Sequence, residues 1–265
     1  MSSSNRDYSK IFYITAVALV IVAFLVANVK LDPSLANVSS VFIIALSIPC
    51  YLAIILWLGW KKGLLTIVVF SIYALSIETL AIITGFPYSP FEYTGLIGTK
   101  LFGYTPFTVP FAYVPLFLGC VYLASKKTLT GKPITFMKKI YFILATVALV
   151  LAADLVLDPA AVALNFWKYN WTGFFYGVPL MNFGGWILTG GLASALALRV
   201  VGTAIQGPKP SAIVSSLFLI LSFWSAVCLY LGLFLPGLIG IIFIIYLLWM
   251  TGGRVGDFES KKKSI

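Results

Sequence analysis

The sequence predicts an all-α, polytopic integral membrane protein with about eight transmembrane helices and both termini in the cytoplasm. Of its 265 residues, 61% are hydrophobic and only 10% are charged, and the mean hydropathy is +1.03. Soluble domains are about 45–50% apolar and about 25% charged. The apolar residues also form blocks about 20 residues long, which is the helix length that crosses a hydrocarbon layer about 30 Å thick.

Eight apolar blocks follow one another along the chain. They cover about residues 11–29, 41–60, 64–84, 106–125, 139–157, 180–200, 211–233 and 236–251. Between the last two blocks, Pro236 and Gly237 predict a tight hairpin rather than one kinked helix. We therefore expect one transmembrane domain over residues 11–251, with a cytoplasmic tail at 1–10 and a basic cytoplasmic tail at 252–265.

The distribution of basic residues supports this topology. With the N-terminus inside, the outer loops hold only Lys30, Lys100 and Lys168, and the other 15 of the 18 Lys and Arg residues lie on the cytoplasmic side. Cytoplasmic loops of membrane proteins carry such an excess of positive charge. The net charge of +10 is therefore suited to an anionic lipid surface. It does not indicate binding to nucleic acid.

The residue types present argue against metal and cofactor chemistry. The chain contains no histidine, which is the commonest metal ligand and the commonest general base. Its three cysteines, Cys50, Cys120 and Cys228, lie singly inside apolar blocks and are typical of small packing residues. We expect no haem, zinc or di-iron centre and no cofactor.

Three acidic residues lie within or at the end of apolar blocks. Of the eight acids, Asp7, Asp257 and Glu259 are in the tails, and Asp32 and Glu92 are in loops. The others are Glu78, near the outer end of the third block, and Asp154 and Asp158, one helical turn apart and therefore on one helix face. A carboxylate at the centre of a span costs about 2.5–3.5 kcal/mol on insertion scales, so it is a functional-site hypothesis by default.

The positions of these acids suggest acid/base chemistry. All three are expected in the last turns of outgoing helices, where the helix dipole disfavours an anion, and burial acts in the same direction. We predict that at least one of them is protonated at neutral pH, as acid/base catalysis on an apolar substrate requires. The structural alternative is that Glu78 and Asp154 hydrogen-bond neighbouring helices through Asn182 or tyrosines, and that Asp158 simply ends its helix before Pro159.

Two outer loops, residues 85–105 and 158–179, are rich in Gly, Pro, Tyr and Trp, which predicts structured segments at the membrane interface. The candidate substrate-binding residues in and beside them are Tyr88, Tyr93, Trp167, Trp171, Tyr176, Asn182 and Trp186. Asn182 and Trp186 share a helix face. The alternative for the aromatic residues is an interfacial belt without a binding role.

Two blocks of residues resemble the carotenoid biosynthesis membrane protein family. The second block runs from Asp154-Leu-Val-Leu-Asp-Pro159, through Trp167-x-x-x-Trp171-x-Gly, to Tyr176-Gly-Val-Pro-Leu-Met-Asn-Phe-Gly-Gly-Trp186. The first contains Glu78 and Thr84-Gly-Phe-Pro-Tyr88. The resemblance covers about residues 64–200. The family includes the CruF-type carotenoid 1′,2′-hydratases and the archaeal bisanhydrobacterioruberin hydratases.

The resemblance implies addition of water to the terminal double bond of a linear C40 or C50 carotenoid, through a tertiary carbocation and without a redox cofactor. Under this hypothesis Asp154 and Glu78 form the acid/base pair, Asp158 is a third candidate, and Asn182 positions water. The aromatic rings would shield the cation. Expected partners are the carotenoid, the lipid bilayer and other enzymes of carotenoid biosynthesis, and the expected location is a prokaryotic, archaeal cell membrane.

Other functions stay open at this stage. The same cation could lose a proton after ring closure or without it, which would make the protein a lycopene-type cyclase or an isomerase. A lipid or small-molecule transporter could use the buried acids as a proton relay. A carotenoid-binding protein without catalytic activity is the remaining alternative.

Overall fold

The computed structural model describes residues 7–131 and 133–259, most of which lie in eight α-helices. They are α1 (Ser9–Asn28), α2 (Ala36–Leu58), α3 (Trp60–Thr84), α4 (Val109–Thr128), α5 (Phe136–Ala163), α6 (Leu180–Val200), α7 (Ser215–Tyr230) and α8 (Phe234–Thr251). The short strands are β1 (Phe91–Tyr93), β2 (Lys100–Leu101), β3 (Thr105–Pro106) and β4 (Trp167–Tyr169). With the 3-10 turns that precede α2 and α7, all eight helices are long and apolar enough to cross a membrane. The predicted polytopic helical membrane fold is confirmed.

The hairpin predicted between the last two apolar blocks is present, since α7 ends at Tyr230 and α8 begins at Phe234. Most helix ends lie within a few residues of the predicted ends. The exceptions are the start of α2, which lies earlier than expected at Ala36, and the end of α5.

Helix α5 is longer than the sequence indicated. It passes through Pro159 and ends at Ala163, so Asp158 lies inside the helix and does not end it. A membrane helix tolerates an internal proline where neighbouring groups satisfy the freed backbone. Near this proline the thiol of Cys228 on α7 donates to the carbonyl of Val156, 3.3 Å away, which is next to the Leu155 carbonyl that Pro159 leaves without a helical donor. The predicted helix-dipole effect on the acids is therefore wrong, because that effect is confined to the last turn.

Helices α4 and α7 form the centre of the bundle, and nearly all of their side chains are buried. The surrounding helices bury one face and expose apolar side chains on the other; α1, for example, exposes Ile14, Val17 and Ile21. Hydrocarbon is as apolar as these residues, so an exposed apolar face is what a membrane-spanning bundle requires.

Both ends of the described chain meet on one face of the bundle. The backbone amide of Tyr8 donates to the carbonyl of Gly256 over 2.9 Å. The guanidinium of Arg254 contacts Asp7 at 3.1 Å and Asp257 at 2.8 Å. This arrangement agrees with an even number of spans. The assignment of that face to the cytoplasm stays a prediction from the basic residues.

On the opposite face, the two aromatic loops are joined by an antiparallel pair of strands, β1 and β4. Phe91 pairs with Tyr169 and Tyr93 pairs with Trp167, and between them the exposed side chains of Glu92 and Lys168 are opposite each other. Because side chains alternate along a strand, the aromatic residues face the bundle and the charged pair faces outward. The two loops are structured, as predicted, whereas their location on the outer side stays a prediction; the sheet covers the candidate site.

A close approach between the first loop and α6 gives a test of this packing. A Cβ atom added at Gly185 would lie 2.5 Å from a ring carbon of Tyr88 and 2.6 Å from the carbonyl oxygen of Pro87. We expect Gly185→Ala to lower the free energy of unfolding by about 1–3 kcal/mol, measured in detergent micelles. The control is Gly184→Ala, because a Cβ atom there meets nothing within 4 Å. Equal effects of the two substitutions would contradict the packing described.

Candidate active site

A cavity of about 300 Å³ lies beneath the β1–β4 sheet. One end of it is lined by four buried polar residues from three helices, Glu78 on α3, Asp154 and Asp158 on α5, and Asn182 on α6. Aromatic side chains surround them, namely Tyr88, Tyr93, Tyr113, Trp167, Tyr169 and Trp186. Glu78 and the pair of aspartates on α5, which lie in separate segments of the sequence, therefore meet in one cavity.

The amide of Asn182 holds the two aspartates of α5 together. Its nitrogen Nδ2 lies 3.0 Å from Oδ2 of Asp154 and 2.7 Å from Oδ2 of Asp158. An amide nitrogen carries two hydrogens, so it can donate to both carboxyl groups at once. The spacing of one helical turn places both aspartates on the face of α5 that packs against α6.

Both carboxyl oxygens of Asp158 accept hydrogen bonds, two from strand β4 and one from α6. Its Oδ1 accepts from the indole nitrogen of Trp167 over 2.6 Å, and its Oδ2 accepts from the hydroxyl of Tyr169 over 2.6 Å as well as from Asn182. Burial, together with the charges of the nearby carboxyl groups, holds the pKa of Tyr169 well above the usual range for tyrosine. The hydroxyl therefore stays protonated and donates. Asp158 thus links strand β4 to helix α5.

Glu78 is held by two tyrosines from different segments. The hydroxyl of Tyr93 on β1 lies 2.5 Å from Oε1, and the hydroxyl of Tyr113 on α4 lies 2.5 Å from Oε2. Burial and the neighbouring Glu78 charge hold the pKa of Tyr93 well above its usual range. Both oxygens of Glu78 are therefore bound by neutral hydroxyl donors, which can relay a proton as well as position the carboxyl group.

Asp154 has the fewest hydrogen bonds of the three acids. Within the described part of the chain, Asn182 is its one side-chain partner, and that contact uses Oδ2. The second oxygen, Oδ1, accepts no hydrogen bond from residues 7–131 or 133–259, and it is not among the fully enclosed polar atoms without a partner there. Since Asp154 lines the cavity, this oxygen is the one most available to a bound molecule.

Part of the cavity wall is a cluster of aromatic rings centred on Trp186. The ring centroid of Trp186 lies 5.1 Å from that of Tyr113 and 5.4 Å from that of Tyr88. The hydroxyl of Tyr88 is held by Thr189 on α6 at 3.1 Å. Ring faces carry partial negative charge and attract a cation within about 6 Å of the centroid.

The structure brings most of the predicted site residues to this cavity. Those lining it are Glu78, Asp154, Asp158, Asn182, Trp186, Tyr88, Tyr93 and Trp167. It does not bring Trp171 and Tyr176 there, because they are 52% and 41% exposed and do not line the cavity. Trp171 follows the end of β4, and Tyr176 lies at a tight turn with a φ of +50°.

The sequence reasoning missed Tyr113 and did not select Tyr169. Tyr113 is a polar residue inside a membrane helix, one turn after Val109 and Pro110 at the start of α4, and that position was the signal available. Tyr169 shares the inward face of β4 with Trp167, so strand alternation would have predicted it. The Glu92 side chain faces away from the cavity, on the outer side of β1.

The fold and the site define a class of protein, a polytopic helical membrane protein with a cluster of buried carboxyl groups in an aromatic cavity. The chain belongs to the carotenoid biosynthesis protein family, whose sequence profile matches residues 38–247. This membership confirms the resemblance inferred from the sequence motifs.

A curated relative is the bisanhydrobacterioruberin hydratase of Haloarcula japonica. The two chains are 40% identical over 136 residues, a stretch that covers 51% of this chain and 45% of that enzyme. The alignment thus spans less than half the length of the relative. No solved structure matches this chain significantly.

The contacts of Asp158 predict unequal roles for two tryptophans of the second loop. We expect Trp167→Phe to lower the free energy of unfolding by about 1–3 kcal/mol, because Oδ1 of buried Asp158 loses its donor. The matched control, Trp171→Phe, replaces an exposed indole by a smaller ring and should change that free energy by less than about 0.5 kcal/mol. Unfolding of the purified variants in detergent micelles measures both. A larger effect at Trp171 would contradict the assigned contact.

Proposed function

We propose that this protein is a carotenoid hydratase that adds water across the terminal 1,2 double bond of a linear carotenoid. The family and the hydratase relative support the substrate class and the reaction. The observation that carries the proposal is Oδ1 of Asp154, which accepts no hydrogen bond from the described residues. It lies in an apolar cavity with aromatic residues in its wall, beside two further carboxyl groups.

The first step is protonation of the alkene. Asp154 donates its proton to the less substituted carbon of the terminal double bond, and the π electrons form the new C–H bond. The other carbon becomes a tertiary cation. Faces of Trp186, Tyr88 and Tyr113 would stabilise that positive charge, as ring faces do for other cations. The proposal requires Asp154 to hold a proton, in line with the sequence-based expectation that one acid is neutral.

The second step is capture of water. A water oxygen attacks the cation and forms the C–O bond, while a carboxylate accepts the proton that the water loses. Glu78 is our candidate for this base, and its two tyrosine partners would hold it in position. The product is a tertiary alcohol, and the substrate has gained one water. Proton transfer from Glu78 back to Asp154 resets the site.

Asp158 and Asn182 position Asp154 in this scheme. Asp158 accepts three hydrogen bonds, so it is poorly suited to donate a proton, and Asn182 ties Asp154 to it. The reaction involves no net oxidation or reduction. We therefore expect the purified chain to work without a redox cofactor.

Expression in cells that accumulate a linear carotenoid tests the reaction directly. In lycopene-accumulating cells we expect extracted pigment whose mass has risen by one or two waters, measured by mass spectrometry. Cells that accumulate a longer C50 carotenoid are the second host. An isomer of unchanged mass in either host would instead favour a cyclase or isomerase, and unaltered pigment in both hosts would contradict the proposal.

Substitution of the acids tests their roles. We expect Asp154→Asn and Glu78→Gln each to lower the hydration rate by about a hundredfold or more, because general acid–base catalysis contributes about that much. The control is Glu92→Gln, since Glu92 faces outward from β1 and should be dispensable. If both acid variants kept full activity while folding normally, the acids would be structural and the mechanism would be wrong.

A further inference from the structure

The cavity is not confined to the acids. From Glu78 and Asp154 it continues along α7, past Ile220 and Phe223, to side chains of α1 and α2. At that far end, Val26 on α1 and Ile43 on α2 line it. One continuous space therefore runs from a polar, reactive end to an end that is apolar apart from Ser39.

The apolar end opens between α1 and α2. Helix α1 packs along α7, and α2 packs against α3, α4 and α7, but α1 and α2 do not pack extensively against each other. Val38, at the beginning of α2, lines the cavity and is 63% exposed. The space between the two helices is thus the opening of the cavity, which we call the mouth, and α7, which packs against both helices, forms its base.

This mouth lies within the membrane-spanning part of the bundle. Val22 and Val26 belong to the second half of α1, and Phe42 and Ile43 belong to the first half of α2, so all four lie on the side of the β1–β4 sheet. Both helices are long and apolar enough to span the bilayer. We therefore infer that the opening, which extends to Leu35 just before α2, is accessible from lipid hydrocarbon.

We propose that the groove between α1, α2 and α7 is a lateral portal that admits a linear isoprenoid chain from the bilayer and holds it during reaction. The identity of the chain rests on the proposed function. The lining changes from polar to apolar along the cavity, and this change sets the orientation of the bound chain. The reacting end group reaches the acids, and the rest of the chain lies along Val26, Ile43 and Phe223. A long chain would occupy the mouth throughout turnover, with its far part still in lipid.

The apolar walls explain why such a chain fits. An isoprenoid chain carries no hydrogen-bonding groups, so it leaves no polar atom unpaired against valine, isoleucine and phenylalanine. Phe42 on α2 and Phe223 on α7 are in contact, with ring centroids 5.0 Å apart, and together they form one wall of the groove. Water in this section would find few partners, which also keeps the cation away from bulk solvent.

The test narrows the mouth without altering the acids. Val26→Trp and Ile43→Trp are compared with Val17→Trp and Val41→Trp, which add the same ring to lipid-facing positions of the same helices outside the cavity. Each variant is assayed in lipid vesicles with two substrates, a linear C40 carotenoid and a short alkene that carries the same end group. The short alkene passes the mouth but does not occupy it.

We expect the two groove variants to lower the rate on the long carotenoid by about tenfold or more, because the added indole fills space that the chain must occupy, and to retain most of the rate on the short alkene. The lipid-facing controls should match the unaltered protein on both. Retention of the short-substrate rate shows that the acid site is folded. Unchanged rates on both substrates, or equal losses on both, would overturn the portal.

A binding measurement separates this proposal from the proposed reaction. In the Asp154→Asn background, carotenoid that copurifies with the protein is quantified by its absorbance, with and without Ile43→Trp. The portal predicts that the second substitution lowers the retained pigment, whether or not the unaltered protein hydrates it. If the unaltered protein retained pigment but hydrated neither substrate, the proposed reaction would fail and the portal would stand. Phospholipid retained in place of pigment would contradict the assigned occupant.

Discussion

The hydrogen bonds from one amide group, that of Asn182, hold the candidate site together. Its nitrogen joins Asp154 and Asp158 on the neighbouring helix, and Asp158 in turn accepts donors from the strand that covers the cavity. Burying carboxyl groups in a membrane protein is costly unless hydrogen-bond partners compensate. The compensation is uneven, because Asp158 accepts three hydrogen bonds whereas, among the residues that the structure describes, Asp154 has a partner for one oxygen only. This difference in hydrogen bonding suits the two adjacent carboxyl groups to different roles, one structural and one open to a bound molecule.

The β1–β4 sheet is the second element on which the site depends. Because side chains alternate along a strand, one short ladder delivers Tyr93 to Glu78 and Trp167 to Asp158, and it leaves Glu92 and Lys168 outside. The two loops are far apart in sequence, and pairing closes them over one end of the bundle. The same cavity is apolar at its other end. The molecule therefore combines a polar end, suited to proton transfer, with an approach suited to a hydrocarbon.

Periodicity and composition predicted much of this arrangement. Block length predicted the eight helices, and the spacing of Asp154 and Asp158 predicted their common face. The sequence did not reveal that Tyr113 reaches Glu78, because a single sequence does not show which helices are neighbours. The apolar pattern also did not show that α5 continues past Pro159, since local sequence favours an end there and tertiary contacts override it. Trp171 shares the composition of the aromatic loop, but its position beyond β4 directs it to the surface.

In the proposed reaction the product's oxygen comes directly from water, and its new carbon-bound hydrogen comes from solvent by way of Asp154. The most direct measurement incubates the purified protein in lipid vesicles with a linear carotenoid, in water labelled with oxygen-18 and deuterium. The account predicts that each hydrated end gains one labelled oxygen and one carbon-bound deuterium, and that Asp154→Asn abolishes both. A product without labelled oxygen, or an isomer that carries deuterium alone, would contradict it.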